Sequence, residues 1–256
     1  MKKLRVIVLT FLSMLALSSF SLASGDISIV VNDAEISTDV APAVMNGRTL
    51  VPARAVFENM GAEVGWNSQT KSVTVKLNQA EVKLTLGSRV AKVNGTNICL
   101  DQPAMAVNGR TLVPVRFISE SLGAKVGWNG DTSTVTIETN ENLGLGKPKS
   151  SSGAAVLGQE VVMRATAYGD SAAENGGWAG LTSLGTKLRP GVVAVDRNVI
   201  PLGTKLYIEY ADGTPYGFVV AEDTGGAIKG NKIDIFMDSS LVRSFGVKSM
   251  KVYVVK

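Results

Sequence analysis

Three aspartates in the last third of the chain each follow or interrupt a short run of β-forming residues. VVAVD ends at Asp196, FVVAED ends at Asp223, and KIDIF encloses Asp234. Asp196 and Asp223 fall where a strand is expected to run into a loop, the place from which a scaffold presents functional side chains. Asp234 sits inside a strand, between Ile233 and Ile235. A carboxylate there is costly to ionise unless paired, so either a partner satisfies it or its pKa rises. A raised pKa is what a general acid needs near neutrality. If Asp196 or Asp223 lies close, like-charge repulsion raises it further and the cluster titrates as a coupled set. Two other readings stand beside this one. Asp196 and Asp223 also suit plain turn caps, because Asp is a common turn residue. A Ca²⁺ site of carboxylate and carbonyl oxygens is a weaker fit, since the dense Asp/Asn alternation of a calcium loop is missing.

What the chain lacks narrows the chemistry. Its 256 residues contain no histidine, which removes Ser-His-Asp and Cys-His nucleophilic catalysis, HExxH zinc chemistry and every His-ligated metal site. Acid–base work therefore falls to Asp, Glu, Lys or Tyr. The single cysteine, Cys99, has no internal disulfide partner; with Ile98 and Leu100 beside it, it reads as a buried, inert thiol. The formal charge of +4 includes Lys2, Lys3 and Arg5; without them 23 basic residues face 22 acidic ones, or +1. That balance gives no reason to expect nucleic acid as a partner.

The elements that must hold the aspartates are strands. From Glu160 onward the runs EVVMRATAY, GVVAV, KLYIEY, YGFVVAE, KIDIFM and MKVYVV are separated by turns such as Arg189-Pro190-Gly191, Pro201-Leu202-Gly203 and Ala211-Asp212-Gly213. About six short strands in under a hundred residues imply a small closed barrel. Only SSLVRSFG reads as helix, with Asp238 or Ser239 as its N-cap and Gly246 at its end.

Upstream lies delivery and anchoring. Residues 1–24 have the basic, apolar and small-residue regions of a secretory signal peptide, with an apolar run too short to span a bilayer. The expectation is a secreted protein with no stable membrane insertion after cleavage. Residues 46–75 and 108–137 then match without a gap at roughly 18 of 30 positions, which marks a duplicated unit. Each copy has an Asn-Gly turn, a Thr-Leu-Val strand, a Pro where a helix can start, a helical run ending on Gly, and a closing strand. Residues 26–139 are thus one α+β domain of two repeats. Trp66 and Trp128 read as core anchors of the repeats in preference to sugar platforms. Arg48 and Arg110 suit either a structural hydrogen bond or a ligand. Residues 140–158, rich in Gly, Ser, Lys and Pro, read as a flexible tether before a domain over 159–256.

The NGRTLVPxR…GAxVGWN pattern resembles the copper amine oxidase N-terminal-like, or stalk, domain. A chain without His has no ordinary copper site, so this resemblance implies only an accessory module, associated with the cell wall or cell surface of a bacterium. GVVAVDRNVIPLGTKLYIE followed by VVAEDTGGAIKGNKIDIFM resembles the three-aspartate (3D) domain, the three residues matching Asp196, Asp223 and Asp234. That family is similar to the double-psi β-barrel of membrane-bound lytic transglycosylase A and to stationary-phase survival proteins. The resemblance implies a mainly β chain with a six-stranded double-psi barrel. It also implies a lytic transglycosylase that cleaves the MurNAc-β-1,4-GlcNAc bond of peptidoglycan, with Asp234 as acid/base and Asp196 and Asp223 in support, and no cofactor or metal. A hydrolase giving reducing ends and a non-catalytic wall-binding protein are the alternatives. Thr166, Tyr168, Thr182 and Lys232 are then candidate sugar contacts. Trp178, among glycines, is either a stacking platform or a loop anchor. The stretch Gly169–Ser183 is longer and richer in Gly than the family pattern.

Overall fold

The computed structural model describes residues 27–139, 155–170 and 180–256. The expected signal peptide, most of the expected tether, and Trp178 lie outside the described residues. No helix among the described residues is long and apolar enough to cross a membrane.

The amino-terminal domain is built by its duplication. After β1 (Ser28–Val31) and β2 (Ala34–Glu35), the first repeat runs through β3 (Ala43–Met45), β4 (Arg48–Pro52), α1 (Ala53–Phe57), β5 (Glu63–Asn67) and β6 (Ser72–Leu77). The strands β7 (Ala80–Thr85), β8 (Val90–Val93) and β9 (Thr96–Cys99) lead to the second repeat. That repeat comprises β10 (Met105–Val107), β11 (Arg110–Pro114), α2 (Val115–Ser121), β12 (Lys125–Asn129) and β13 (Thr134–Glu138). Asn46-Gly47 and Asn108-Gly109 both take positive φ at both residues, the conformation that closes a two-residue hairpin in step with strand twist. The two hairpins join through β4 and β11, which pair antiparallel with Val51 opposite Val113. The repeats are therefore related by a pseudo-twofold axis through that pair.

With a strand β14 at Ala155–Leu157, three sheets result, ordered β12-β13-β1-β2, β10-β11-β4-β3 and β14-β9-β8-β7-β6-β5. They share one core in which Phe57, Ile118, Leu122 and Val75 are sealed from water. One sequence expectation fails here. Trp66 and Trp128 are each 46% exposed and are not core anchors. Both lie on edge strands, opposite the buried Val73 and Val135, so no further strand shields them on the outer side.

The strand β14 (Ala155–Leu157) lies inside the stretch expected to be a tether and corrects that reading for its last residues. It pairs antiparallel with β9, placing Ala155 opposite Cys99, and Leu157 bridges to Val255 at the end of the chain. All three residues of the strand are apolar, Val156 packing on the amino-terminal core and Ala155 and Leu157 on the cluster around Cys99, a run too short to stand out from the glycines around it. Cys99 is buried with Leu157, Tyr207 and Tyr253, and burial pushes its thiol pKa up to about 11. The expectation of an inert cysteine agrees.

The carboxy-terminal domain closes a six-stranded barrel. Its strands are β15 (Val161–Tyr168), β16 (Val192–Val195), β17 (Lys205–Tyr210), β18 (Pro215–Asp223), β19 (Lys232–Phe236) and β20 (Lys248–Val254), ordered β15-β19-β16-β18-β17-β20. This is the double-psi β-barrel expected, with parallel pairs β15–β19 and β16–β18. Val193, Val195, Ile233, Ile235, Leu206 and Ile208 fill its interior. The helix α3 (Ser239–Phe245) is capped as expected. Asp238 accepts from the Ser240 amide at 2.8 Å, and Gly246 follows the helix with φ +64°.

A buried carboxylate joins the domains. Glu209 on β17, 1% exposed, accepts from the Ser88 hydroxyl at 2.9 and 3.1 Å and from the Arg89 amide at 3.1 Å.

Candidate active site

The strand order β15-β19-β16-β18 sets the candidate site in one row. Thr166 pairs with Asp234, Asp234 with Ala194, and Ala194 with Asp223. Registered partners project to one side of a sheet. Val193 and Val195 fill the barrel, whereas Ala194 packs with Tyr168 and Phe236 in a separate apolar cluster, so the row lies on the barrel's outer face.

A bulge puts Asp223 in the row. The register steps from Val193–Ala221 to Ala194–Asp223, so Glu222 is the extra residue. A bulge of this kind re-aims a side chain at the cost of one ladder position. Glu222, thus displaced, takes a bidentate pair from Arg189 at 2.6 and 2.8 Å and a short hydrogen bond from Thr186. That pairing and the Thr186 bond hold the Glu222 carboxyl below the usual range.

Asp234 is half-buried between Ile233 and Ile235, and its Oδ1 accepts from the Thr166 hydroxyl at 2.6 Å. Burial raises its pKa first, the Thr166 bond opposes the rise, and the charge of Asp223 adds to it. Asp223 is differently placed. Its Oδ2 accepts from Tyr168 Oη at 2.9 Å, and its Oδ1 accepts from the Ser183 amide and hydroxyl and the Thr224 amide at 2.8–2.9 Å. Burial and then the neighbouring Asp223 drive the Tyr168 pKa far above its ordinary value, so Tyr168 remains a donor. Its ring meets Phe236 edge to face, centroids 5.5 Å apart. One carboxylate of the row is therefore saturated with donors, and the other has a single side-chain donor.

The structure sorts the candidate residues. Asp234, Asp223, Thr166 and Tyr168 come together. Asp196, just past β16, accepts from the Asn198 and Gly230 amides at 3.0 and 2.9 Å; those bonds, Gly230's first, lower its pKa. It fastens the loop that precedes β19. Thr182 is buried and shares a 2.8 Å hydrogen bond with Thr186, so its hydroxyl is committed to a turn. Lys232, two residues before Asp234 on β19, donates to the Ala227 carbonyl at 3.4 Å.

Sequence reasoning missed Ser183, Ala194, Glu222 and Arg189. The adjacent acids Glu222 and Asp223 carried a signal, because alternating strand faces cannot both be buried without separate partners. Ala194 carried none, since its role depends on which strands flank it.

Comparison with known proteins follows this division. Residues 30–137 are similar to the copper amine oxidase N-terminal domain and residues 191–256 to the 3D domain. The chain is 48% identical over 101 residues to the cell wall-binding protein YocH of Bacillus subtilis (strain 168), which covers 38% of this chain and 32% of that protein. It is 36% identical over 131 residues to the putative cell wall shaping protein YabE of the same organism, covering 49% and 27%. The chain spans about a third or less of these relatives' lengths. The crystal structure of MltA from E. coli, described as a lytic transglycosylase fold, is similar over 30% of this chain and 27% of that one, with 29% identity and a TM-score of 0.27.

Proposed function

We propose that the barrel cleaves peptidoglycan glycan strands as an exported lytic transglycosylase, with Asp234 as its one acid/base. The observation that carries this reading is the unequal pair of carboxylates in the row. Glycoside hydrolysis by the common route needs two working carboxylates, one as acid and one as base or nucleophile. Asp223, with donors on both oxygens, is poorly suited to activate water or attack a sugar. Asp234, half-buried with a raised pKa, suits proton donation. The 3D domain and the wall-related names of YocH and YabE support the substrate class.

In this reaction protonated Asp234 gives its proton to the oxygen of the MurNAc-β-1,4-GlcNAc bond as the muramic C1–O bond breaks and positive charge builds at C1. The resulting carboxylate then takes the proton of the muramic C6 hydroxyl. The C6 oxygen bonds to C1, closing a 1,6-anhydro ring and restoring the acid. Proton count and charge balance with no external nucleophile. Thr166 orients the carboxylate through both steps, and Asp223 keeps the proton affinity of Asp234 high. Thr166, Tyr168, Lys232 and Trp178 remain the proposed sugar contacts, and Thr182, proposed from the sequence as another, is instead given a positioning role through the turn it holds.

A second reading is a wall-binding protein without turnover, favoured by the name of YocH. Purified cell wall incubated with residues 25–256 separates the two. Release of soluble glycan supports the enzyme, and retention of the protein on undiminished wall supports the binder.

A further inference from the structure

The exposed tryptophans of the amino-terminal domain sit in two grooves that the duplication makes equivalent. In one, Trp128 and Arg116 of the second repeat face Arg48 of the first, whose guanidinium pairs with Asp101 at 2.6 Å. In the other, Trp66 and Arg54 of the first repeat face Arg110 of the second, which pairs with Asp39 at 2.6 Å. Each groove thus takes its indole from one repeat and its arginine–carboxylate pair through the other. Their volumes are about 360 and 690 Å³, within the range of small-ligand sites.

We propose that these are two sugar-binding grooves, each accepting a ring of a β-linked pyranose strand. Neither indole serves the core, since both are 46% exposed, and leaving so much aromatic area in water is unfavourable. The same arrangement recurs on both sides of the pseudo-twofold axis, with Trp, Arg and an ion pair at equivalent positions. An indole face complements the C–H face of a pyranose. The arginine–aspartate pair beside it, in which two guanidinium nitrogens meet one carboxylate oxygen, sets a cation and an acceptor oxygen against hydroxyl and acetamido groups. Among the described residues Arg116 makes no ion pair, whereas Arg54 pairs with Glu58 at 3.2 Å, so the Trp128 groove is the more basic. This inference does not rest on the reading of the barrel.

The test uses full-length mature chain carrying Trp178→Phe, so that fluorescence reports Trp66 and Trp128 alone. Soluble chito-oligosaccharide and soluble peptidoglycan strand freed of anionic wall polymer are titrated separately. The expected result is a saturable emission change with two sites per chain. Counted by calorimetry, which needs no indole reporter, one of the parent's sites is lost in Trp66→Ala, a different one in Trp128→Ala, and both of these in the double variant. Phe218→Ala, which removes an exposed barrel aromatic, keeps two sites. Affinity in Trp66→Tyr and Trp128→Tyr is expected to fall by about tenfold or less, a loss of about 1.4 kcal/mol or less. Response to one strand and not the other identifies the sugar source. Unchanged thermal unfolding midpoints exclude misfolding in the alanine variants. No emission change with either strand, or alanine variants that keep the parent's full number of calorimetric sites, overturns the proposal.

Discussion

Asp223 and Asp234 meet at a single residue: Ala194 on β16 is the register partner of both. A methyl group is all that the central strand places between the two carboxyls. Asp223 therefore acts on Asp234 through space, raising its pKa, and not through a shared hydrogen bond. Asp223→Asn removes that charge, so the pKa of Asp234 falls. The basic limb of the pH–rate profile on cell wall is expected to move to lower pH, with the acidic limb less affected.

Thr166→Val is expected to move the same limb in the opposite direction. The Thr166 hydroxyl stabilises the ionised form of Asp234, and without it that form is less favourable. At neutral pH the variant should also lose about 1–3 kcal/mol of unfolding free energy, the cost of leaving a buried acceptor without its donor. Denaturant unfolding measures this, and Thr166→Ser should recover most of it.

A raised carboxyl pKa in the folded state makes the ionised group a source of instability. At pH below the unfolded value Asp234 is protonated in both states and the effect is absent. It grows as pH rises through the folded pKa, because unfolding then releases the carboxylate to water. Asp234→Asn, which still accepts from Thr166, should unfold at a higher temperature than the parent at neutral pH. The difference should shrink as the pH is lowered towards 4, a range that differential scanning calorimetry covers.

Glu209 gives a separate prediction about the junction of the domains. Its carboxyl pKa is raised by burial, a rise opposed by the Ser88 and Arg89 bonds. Ser88→Ala takes away the hydroxyl that meets both of its oxygens and should cost about 1–3 kcal/mol. Calorimetry is expected to show one transition for the parent and a broadened or split one for the variant as the domains uncouple.

Much of this fold was legible because local chemistry and tertiary structure agree. The Asn-Gly turns, the duplicated strands and the Asp238 cap each depend on neighbours in sequence, and each formed where expected. Asp234 was legible as unusual because two isoleucines flank it. The parts that were not legible depend on pairing between distant strands. The bulge at Glu222 exchanges which acid joins the row; the adjacent acids signal that each needs its own partner but not which of them faces Asp234. Trp66 and Trp128 were read as core because their strands alternate correctly, yet an edge position leaves the correct face uncovered. Asp196 looked equivalent to the other two aspartates, and only the loop that returns to Gly230 makes it a clasp.

The central claim is that Asp234 alone carries the proton in both halves of an intramolecular transfer. Mass spectrometry of muropeptides released from purified peptidoglycan by residues 25–256, beside Asp234→Asn, tests it most directly. The expected products of the parent end in 1,6-anhydro-MurNAc, and the variant should release them at least a hundredfold more slowly, at the low end of the roughly 10²–10⁴-fold contribution of a general acid. Reducing-end products from the parent, or anhydro products formed equally well by Asp234→Asn, would contradict it.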